Sequence, residues 1–424
     1  MRIIVTGDIH IGKRSSAIEG DALFLSTKYT WEQIVDYALN NAVDLVVLTG
    51  DIVDRENRFF EAVSPLRKGL QRLADHHVVV AMVAGNHDYD VLPEIVKTVD
   101  RSHIFLLGTK GDWEEQVVTI GDRKIRLIGW SFTHPDQTED PLKTFPAEKI
   151  RQEELFTLGI LHGDTQGQAS RYAPINSAVL KETQGVDAWL LGHIHKPEVI
   201  SAAHPLILYP GSPHALSPKE TGIHGPYLLE WKDGEWQIQQ LSFSPVRYES
   251  LSIDISDVTH KEHFRQKTFR ELDQFAQELK DTERLEYLVY DVELRGESNY
   301  LREFHQWGAD EIQMYGGSQP FQTKIRKVSL QINPIIQIES FYDDPSYMGV
   351  LARAIRALES GEEDNHFVNE LKKEWDERFE ALWHSTIYQP LSAPVDQEEK
   401  MRTTLLKECK RLFTELYNLR IYES

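Results

Sequence analysis

A chain of 424 residues is long for one average domain and predicts two or three. Its 41% hydrophobic and 27% charged residues describe an ordinary globular protein, and no run of about 18 apolar residues offers a membrane span. The net charge of −21 is spread as about −10 over residues 1–250 and −11 over 251–424, which argues against holding nucleic acid by a broad basic surface.

In chain order, short β-rich runs alternate with helical patterns up to about residue 245. The spacing predicts strands at Arg2–Val5, Asp44–Leu48, Val78–Val83, Ile125–Gly129, Thr157–Leu161 and Ala188–Leu191. Helical patterns fall between them at Trp31–Ala42 and Pro65–His76. Such alternation predicts βαβ units and a central sheet with helices outside. Pro226–Trp231 and Trp236–Leu241 flank Lys232-Asp233-Gly234, and Asp-Gly between two such runs predicts a hairpin.

From 246 to about 337 the character changes. A strand at Leu251–Ile255, a helix at His260–Lys280 and strands at Tyr287–Leu294 and Lys327–Ile336 predict a small α+β unit. From Pro345 the pattern is helical. Met348, Leu351, Ala352, Ile355 and Leu358 form one stripe, and Phe367, Leu371, Trp375, Phe379 and Leu382 a second. Beyond the Gln389–Asp396 link, Met401, Leu405, Cys409, Leu412, Leu416 and Leu419 form a third. Packing of the stripes on one another is the plainer expectation, and docking of a partner helix or coiled coil the sharper one. The N-terminal segment has no basic n-region followed by an apolar h-region. Cys409 is the lone cysteine, so no intramolecular disulfide forms, and both features favour a reducing cytoplasm.

Five motifs fall at or just after the C-terminal ends of predicted strands, the edge where open α/β sheets bind ligands. They are Asp8-Ile9-His10, Gly50-Asp51, Gly85-Asn86-His87-Asp88, His162-Gly163-Asp164 and Gly192-His193-Ile194-His195. Alone, a D-x-H is surface chance, a Gly-Asp is a turn and a His-x-His is a structural pair. Their ordered recurrence after β runs sets them apart. Asp8, Asp51, Asn86, His10, His162, His193 and His195 offer two carboxylates, one amide oxygen and four imidazoles. One ion rarely uses seven such groups, whereas two can if a carboxylate bridges them. Paired metals about 3.5–4 Å apart clamp the attacking and leaving oxygens of an in-line displacement at phosphorus. Asp-x-His and His-x-His place two side chains on one side of an extended segment, because the strand period is two. Mixed imidazole–carboxylate ligation suits manganese, iron or zinc.

The ordered set D-x-H, G-D, G-N-H-[DE], H and G-H-x-H resembles the calcineurin-like metallophosphoesterase superfamily over about residues 1–245. Within it the chain is similar to SbcD- and YhaO-type DNA repair exonucleases, bacterial relatives of the Mre-eleven nuclease. Gly7-Asp8-Ile9-His10-Ile11-Gly12, Tyr209-Pro210-Gly211-Ser212-Pro213 and Lys219-Glu220-Thr221-Gly222 carry that likeness. The α+β unit matches the family's capping domain, and the tail after Ile338 is similar to the YhaO branch.

The resemblance implies an α/β fold: a metallophosphoesterase β-sandwich flanked by helices in α/β/β/α layers, a small α+β capping domain and a helical C-terminal region. The expected domains are a nuclease domain over 1–245, a cap over 246–340 and a partner-docking region over 341–424. It also implies that Asp8, His10 and His195 hold one ion, that Asn86, His162 and His193 hold the other, and that Asp51 bridges. Manganese is the ion it favours. His87 would face the phosphate and protonate the leaving oxygen, and Asp88 would orient the His87 ring, as carboxylates behind catalytic histidines commonly do.

Two positions depart from the pattern. Asp54, counted among the catalytic residues, stands where some members have histidine, as in the bacterial SbcD-like branch, which leaves His87 to carry the acid role alone. His224 stands where a lysine is expected, which weakens any phosphate contact there. His76, His77, His103, His134, His204, His214 and His260 lack partnering motifs and are expected to be structural or solvent-exposed.

The activity implied is manganese-dependent hydrolysis of DNA phosphodiester bonds by exonucleolytic cleavage, with endonucleolytic cleavage and a homodimer left open. The partners implied are DNA and an SbcC-like coiled-coil ATPase, which would supply affinity that the acidic chain lacks. A phosphomonoesterase or nucleotide phosphodiesterase is the first alternative, because Gly50-Asp51-Ile52-Val53-Asp54-Arg55 resembles the protein-phosphatase motif. Glu56 and Asp88 depart from that motif. A non-catalytic scaffold for DNA ends or an ATPase is the second alternative.

Overall fold

In a computed structural model of the protein, the structure describes residues 1–56, 62–99, 102–153, 155–167, 169–298, 300–335, 337–362, 364–383 and 397–423. The elements run β1 (Arg2–Thr6), α1 (Thr27–Asn40), β2 (Leu45–Leu48), α2 (Val63–Asp75), β3 (Val79–Met82), α3 (Leu92–Val96) and β4 (Ile104–Leu106). They continue with β5 (Glu114–Ile120), β6 (Arg123–Trp130), α4 (Ala147–Gln152), β7 (Phe156–His162), α5 (Ser177–Glu182), β8 (Ala188–Gly192), β9 (Glu198–Ser201) and β10 (Leu206–Tyr209). Then come β11 (Tyr227–Lys232), β12 (Glu235–Gln240), β13 (Val246–Asp254), α6 (Lys261–Glu278), β14 (Tyr287–Glu297), α7 (Leu301–Asp310) and β15 (Gln322–Asn333). Helices α8 (Tyr347–Ser360), α9 (His366–Trp383) and α10 (Gln397–Glu423) close the chain.

These elements divide into two compact units. One comprises Met1–Leu251, Phe269–Val292 and Gln313–Val328, and the other Ser252–Thr268, Glu293–Ile312 and Ser329–Ser424. Residues 246–340 contribute to both.

The first unit holds two six-stranded sheets, in the orders β12–β11–β1–β2–β3–β4 and β5–β6–β7–β8–β10–β9. These are the two sheets of the β-sandwich that the resemblance implies, where strand–helix alternation alone gave a central sheet. Alternation sees parallel crossovers but cannot tell which sheet a strand joins. Strands β1 to β4 pair in parallel, as do β6, β7 and β8.

The pleat explains the layers. Ile3, Val5, Leu45 and Val47 point one way and meet Ile125, Leu127, Leu158, Ile160, Leu190 and Leu208 of the other sheet. Ile4, Val46, Leu48, Val80 and Met82 point the other way, against Trp31, Ile34 and Val35 of α1 and Leu66, Leu70 and Leu73 of α2. On the far side, Trp189, Leu191 and Ile207 pack with Ile150 of α4 and Leu180 of α5. Each buried aliphatic side chain contributes about 1.5–3 kcal/mol. Burial on both faces is why these strands read as unbroken apolar runs rather than alternating ones. The hairpin forms as expected: Lys232 pairs with Glu235, and Asp233 and Gly234 take φ of +53° and +87°.

The third sheet runs β13–β14–β15. Its last strand covers Gln322–Asn333 rather than Lys327–Ile336, and Ile336 lies outside the described residues. In the second unit the helical stripes turn on one another. Met348, Leu351, Ala352, Ile355 and Leu358 of α8 share a core with Val368 of α9 and Cys409 and Phe413 of α10. Leu412 and Leu419 stay exposed on α10. The Phe379 and Leu382 side chains and the Gln389–Asp396 link fall outside the described residues. Among the described residues, no helix is long and apolar enough to cross a membrane.

Candidate metal centre

Both large sheets deliver side chains to one place. Asp8 and His10 follow β1, Asp51 follows β2, and Asn86, His87 and Asp88 follow β3. His162 ends β7, while His193 and His195 follow β8. Four of these candidate ligands sit in left-handed backbone that non-glycine residues rarely adopt: Asp8 at φ +47°, His10 at +50°, Asp51 at +49° and His193 at +99°. Each such residue costs on the order of 1–3 kcal/mol and persists only where its surroundings enforce it. Here the two loops are zipped together. Asp8 N–H donates to Gly50 O at 2.9 Å, His10 N–H to Asp51 O at 3.0 Å and Ile11 N–H to Ile52 O at 2.8 Å.

Glycine makes room for the side chains. Gly50 has φ +96°, and a Cβ there would lie 2.6 Å from His162 Nδ1. A Cβ on Gly85 would lie 2.2 Å from Asp51 Oδ1.

The rings are aimed from behind. His162 Nδ1 lies 2.9 Å from the carbonyl oxygen of Thr49, so it carries the proton and leaves Nε2 with a lone pair. That Nε2 is 3.2 Å from Asn86 Oδ1 and 3.5 Å from Asp51 Oδ2. His195 Nδ1 lies 2.7 Å from Glu220 Oε1, and its Nε2 stands 3.1 Å from His10 Nε2 and 4.0 Å from Asp8 Oδ1. The Asp8 carboxylate accepts the His193 N–H at 3.0 and 3.1 Å, and Asp51 Oδ1 accepts the His87 N–H at 2.8 Å. The His193 ring packs 5.4 Å from that of His162 and 4.8 Å from that of Tyr172.

Among the described residues, three groups present ligand atoms all within 4.8 Å of one another: Asp8–His10–His195, Asp8–Asp51–His162 and His10–Asp51–His87. The first is the set expected for one ion. Asp51 recurs in the other two, the behaviour of a carboxylate shared between sites, and Asp8 recurs as well. The structure also draws His87 into a group with His10 and Asp51.

The donor set fits divalent cations. Asp8, Asp51, Asp54 and Asp88 are at most 3% exposed, and buried carboxylates without counter-charge are costly. Lys13 Nζ meets Asp54 Oδ1 at 2.9 Å. Asp8 and Asp51 instead face imidazole nitrogens, which gather with them into the three groups above.

Protonation in the metal-free state reflects this crowding. Burial, with His162 next to it, pushes His193 down to about 4, and burial lowers His10. His195 is driven up to about 9 against the opposing pull of burial, by Glu220 and then Asp8. His87 is likewise raised against burial, by Asp54 and Asp51. Asp51 is held low despite its burial, by His162, His10 and His87.

Asp88 has another task than the one expected of it. Its Oδ2 accepts the N–H groups of Ile52 at 2.7 Å and Val53 at 3.2 Å, and its Oδ1 accepts that of Gly85 at 2.8 Å. The carboxylate facing the His87 ring is Asp54, with Oδ1 3.6 Å from His87 Nδ1 and 3.6 Å from His10 Nδ1. Asp88 thus ties the loop after β3 to the loop after β2, and a G-N-H-D string read alone cannot distinguish that from a histidine partner.

Sequence reasoning missed Glu220, Lys13, Tyr172 and the Thr49 carbonyl. Glu220 lies within Lys219-Glu220-Thr221-Gly222, but nothing in that spacing ties it to His195, 25 residues earlier. His224 is buried and holds Ser212 O at 2.7 Å through Nδ1. His214 is buried between Ser15 Oγ at 2.8 Å and Thr30 Oγ1 at 2.7 Å, a structural placement.

Comparison with known proteins agrees with this geometry. Residues 1–197 match the family described as Calcineurin-like phosphoesterase. Uncharacterized metallophosphoesterase YhaO of Bacillus subtilis is 30% identical over 238 residues, 55% of this chain and 56% of that protein. DNA double-strand break repair protein Mre11 of Sulfolobus acidocaldarius is 34% identical over 88 residues, 21% of this chain and 22% of that one. The SbcD component of the SbcCD nuclease of Bacillus subtilis is 25% identical over 283 residues, 57% of this chain and 70% of that one. The chain therefore matches little more than half the length of the first of these relatives and under a quarter of the second.

Proposed function

The chain carries a calcineurin-like metallophosphoesterase domain over residues 1–197, and from that premise we propose that it is a manganese-dependent DNA nuclease. The observation that carries the reading is the convergence of Asp8, His10 and His195 beside Asp51 and His162, on one edge shared by both sheets. In this reading Asp8, His10 and His195 would hold one ion and Asn86, His162 and His193 the other, with Asp51 available to both. When bound, two divalent ions supply Lewis-acid stabilisation of phosphoryl charge and lower the pKa of a water nucleophile.

The chain's own groups do the rest. Glu220 and Thr49 fix the tautomers of His195 and His162. His87 is half-buried at the opening, with Nε2 4.0 Å from Asp51 Oδ2, and its raised pKa keeps a proton ready for the leaving sugar oxygen. Asp54, paired with Lys13, sets its charge 3.6 Å behind that ring, and Asp88 keeps the loops of His87 and Asp51 together.

DNA as substrate draws support from the SbcCD nuclease and Mre11 relatives. A net charge of −21 gives little sequence-independent attraction to phosphate backbones. We therefore assign part of the DNA affinity to a coiled-coil ATPase of the SbcC kind, acting in the cytoplasm. Its docking site lies in the helical region 341–424, beyond a catalytic domain over 1–245 and a cap over 246–340.

The test compares manganese-dependent cleavage of linear DNA with hydrolysis of a phosphomonoester and a phosphopeptide, with His87→Ala as control. Cleavage of DNA that is lost in the control supports the proposal. Phosphatase activity without DNA cleavage, even with the ATPase present, overturns it. A purified protein without metal, inert when manganese is supplied, points to a scaffold instead.

A further inference from the structure

We infer that Glu220 is a positioning residue for His195, and that Tyr248 at the base of β13 holds Glu220 in place. The inference rests on the reading of Asp8, His10 and His195 as ligands of one ion. It extends that reading to two residues with no ligand role and fastens one metal ligand to a strand remote from the ligand loops.

Glu220 works with both oxygens. Oε1 takes His195 Nδ1 at 2.7 Å, and Oε2 accepts the Leu216 N–H at 2.5 Å. The carboxylate is thus held by its own loop while it holds the ring. With Nδ1 engaged, His195 can only direct Nε2 inward, where it meets His10 Nε2 at 3.1 Å. Carboxylates behind a metal-binding histidine fix its tautomer and orientation, and their removal costs about 10–100-fold in metal affinity.

The loop carrying Glu220 is itself clamped. Gly222 N–H donates to the Tyr248 carbonyl at 3.1 Å, and Thr221 bridges Tyr248. The buried Tyr248 hydroxyl donates to the Ser16 carbonyl, and Ser16 N–H donates to Leu216 O at 2.8 Å. Tyr248 therefore touches the loop directly at Thr221 and Gly222 and, through Ser16, at Leu216, the residue whose N–H grips Glu220. A shift of β13 at Tyr248 would carry to the His195 ring, whereas the His162 ring is held at Nδ1 by the Thr49 carbonyl.

The experiment titrates the full-length, chelator-stripped protein with manganese by calorimetry and records the melting temperature of the stripped protein. Wild type is expected to bind two ions. Glu220→Ala should weaken one of the two by about tenfold or more while leaving the other and the metal-free melting temperature near wild type. Glu220→Gln should recover part of the loss, because its amide oxygen still accepts from Nδ1–H while its nitrogen faces the Leu216 N–H. Tyr248→Phe should weaken the same ion by a smaller factor.

A wild-type isotherm for Glu220→Ala overturns the inference. So does equal weakening of both ions with a lowered melting temperature, which marks a merely structural role. Glu220→Gln behaving like Glu220→Ala overturns the orientation account. A wild type that binds two ions but cleaves no DNA sinks the proposed function and leaves this inference standing. A wild type that binds none removes the ligand reading and this inference with it.

Discussion

The Asp88 carboxylate accepts the N–H of Ile52 at 2.7 Å, across 36 residues of chain. With the Gly85 and Val53 N–H groups it makes a three-donor clasp beneath the ligand loops. Asp88→Asn presents an amide nitrogen to donors that need an acceptor. At pH 5 the substitution should cost the metal-stripped protein about 1–3 kcal/mol, read from a denaturant midpoint.

The pH dependence of that loss has a definite sign. Burial, then Asp51, pushes Asp88 up to about 7, while the backbone donors pull it back. A carboxyl raised above its unfolded value of about 3.9 contributes stability that is complete below that value and lost as pH rises through 7. The difference between wild type and Asp88→Asn should therefore shrink from pH 5 to pH 8. A difference that grows over that interval would contradict the upward shift.

His87 separates proton transfer from metal binding. His87→Ala should leave two ions bound and lower kcat by about 10²–10⁴-fold, with a smaller effect on KM. Metal analysis and steady-state kinetics on the same preparation check this. Because Asp54 and Asp51 raise its pKa, His87 stays protonated above the ordinary imidazole range, and the wild-type rate should fall on the alkaline side. Loss of an ion in His87→Ala would instead make it a ligand with His10 and Asp51.

His214 should set part of the acid limit of folding. It is fully buried, and burial pushes its pKa down to about 4. A base depressed below its unfolded value of about 6.5 contributes stability that is present above that value and lost as pH falls through 4. His214→Gln should remove this component, so its denaturation midpoint should change less than that of wild type between pH 7 and pH 4. Parallel curves would show that His214 accepts a proton without cost.

The motif residues were legible because metal chemistry restricts residue types tightly, and strand ends fix where they fall. The inner layers were legible because apolar runs flag strands buried on both faces. In the second sheet β6, β7 and β8 were legible in the same way, whereas β5 and β9 were not, since Glu114–Ile120 and Glu198–Ser201 are mostly exposed or half-buried and carry no unbroken apolar run. Asp54 behind His87, Thr49 behind His162 and Glu220 behind His195 were illegible for another reason. A backbone carbonyl has no sequence signature, and a carboxylate 25 residues from its histidine is found only when the chain folds back.

The helical region gives the last prediction. Among the described residues, most members of its apolar stripes are covered where α8, α9 and α10 pack together, which leaves little of them for docking. Leu412 and Leu419 remain, 43% and 58% exposed and seven residues apart on one face of α10. If that face receives the coiled-coil ATPase, replacing both leucines with glutamate should abolish co-purification. Circular dichroism and the metal isotherm should stay unchanged, because neither residue lies in a core. Association that survives both the double substitution and deletion of residues 345–424 would place the ATPase elsewhere. Association lost only on deletion would assign it to this region but to a face other than that of Leu412 and Leu419.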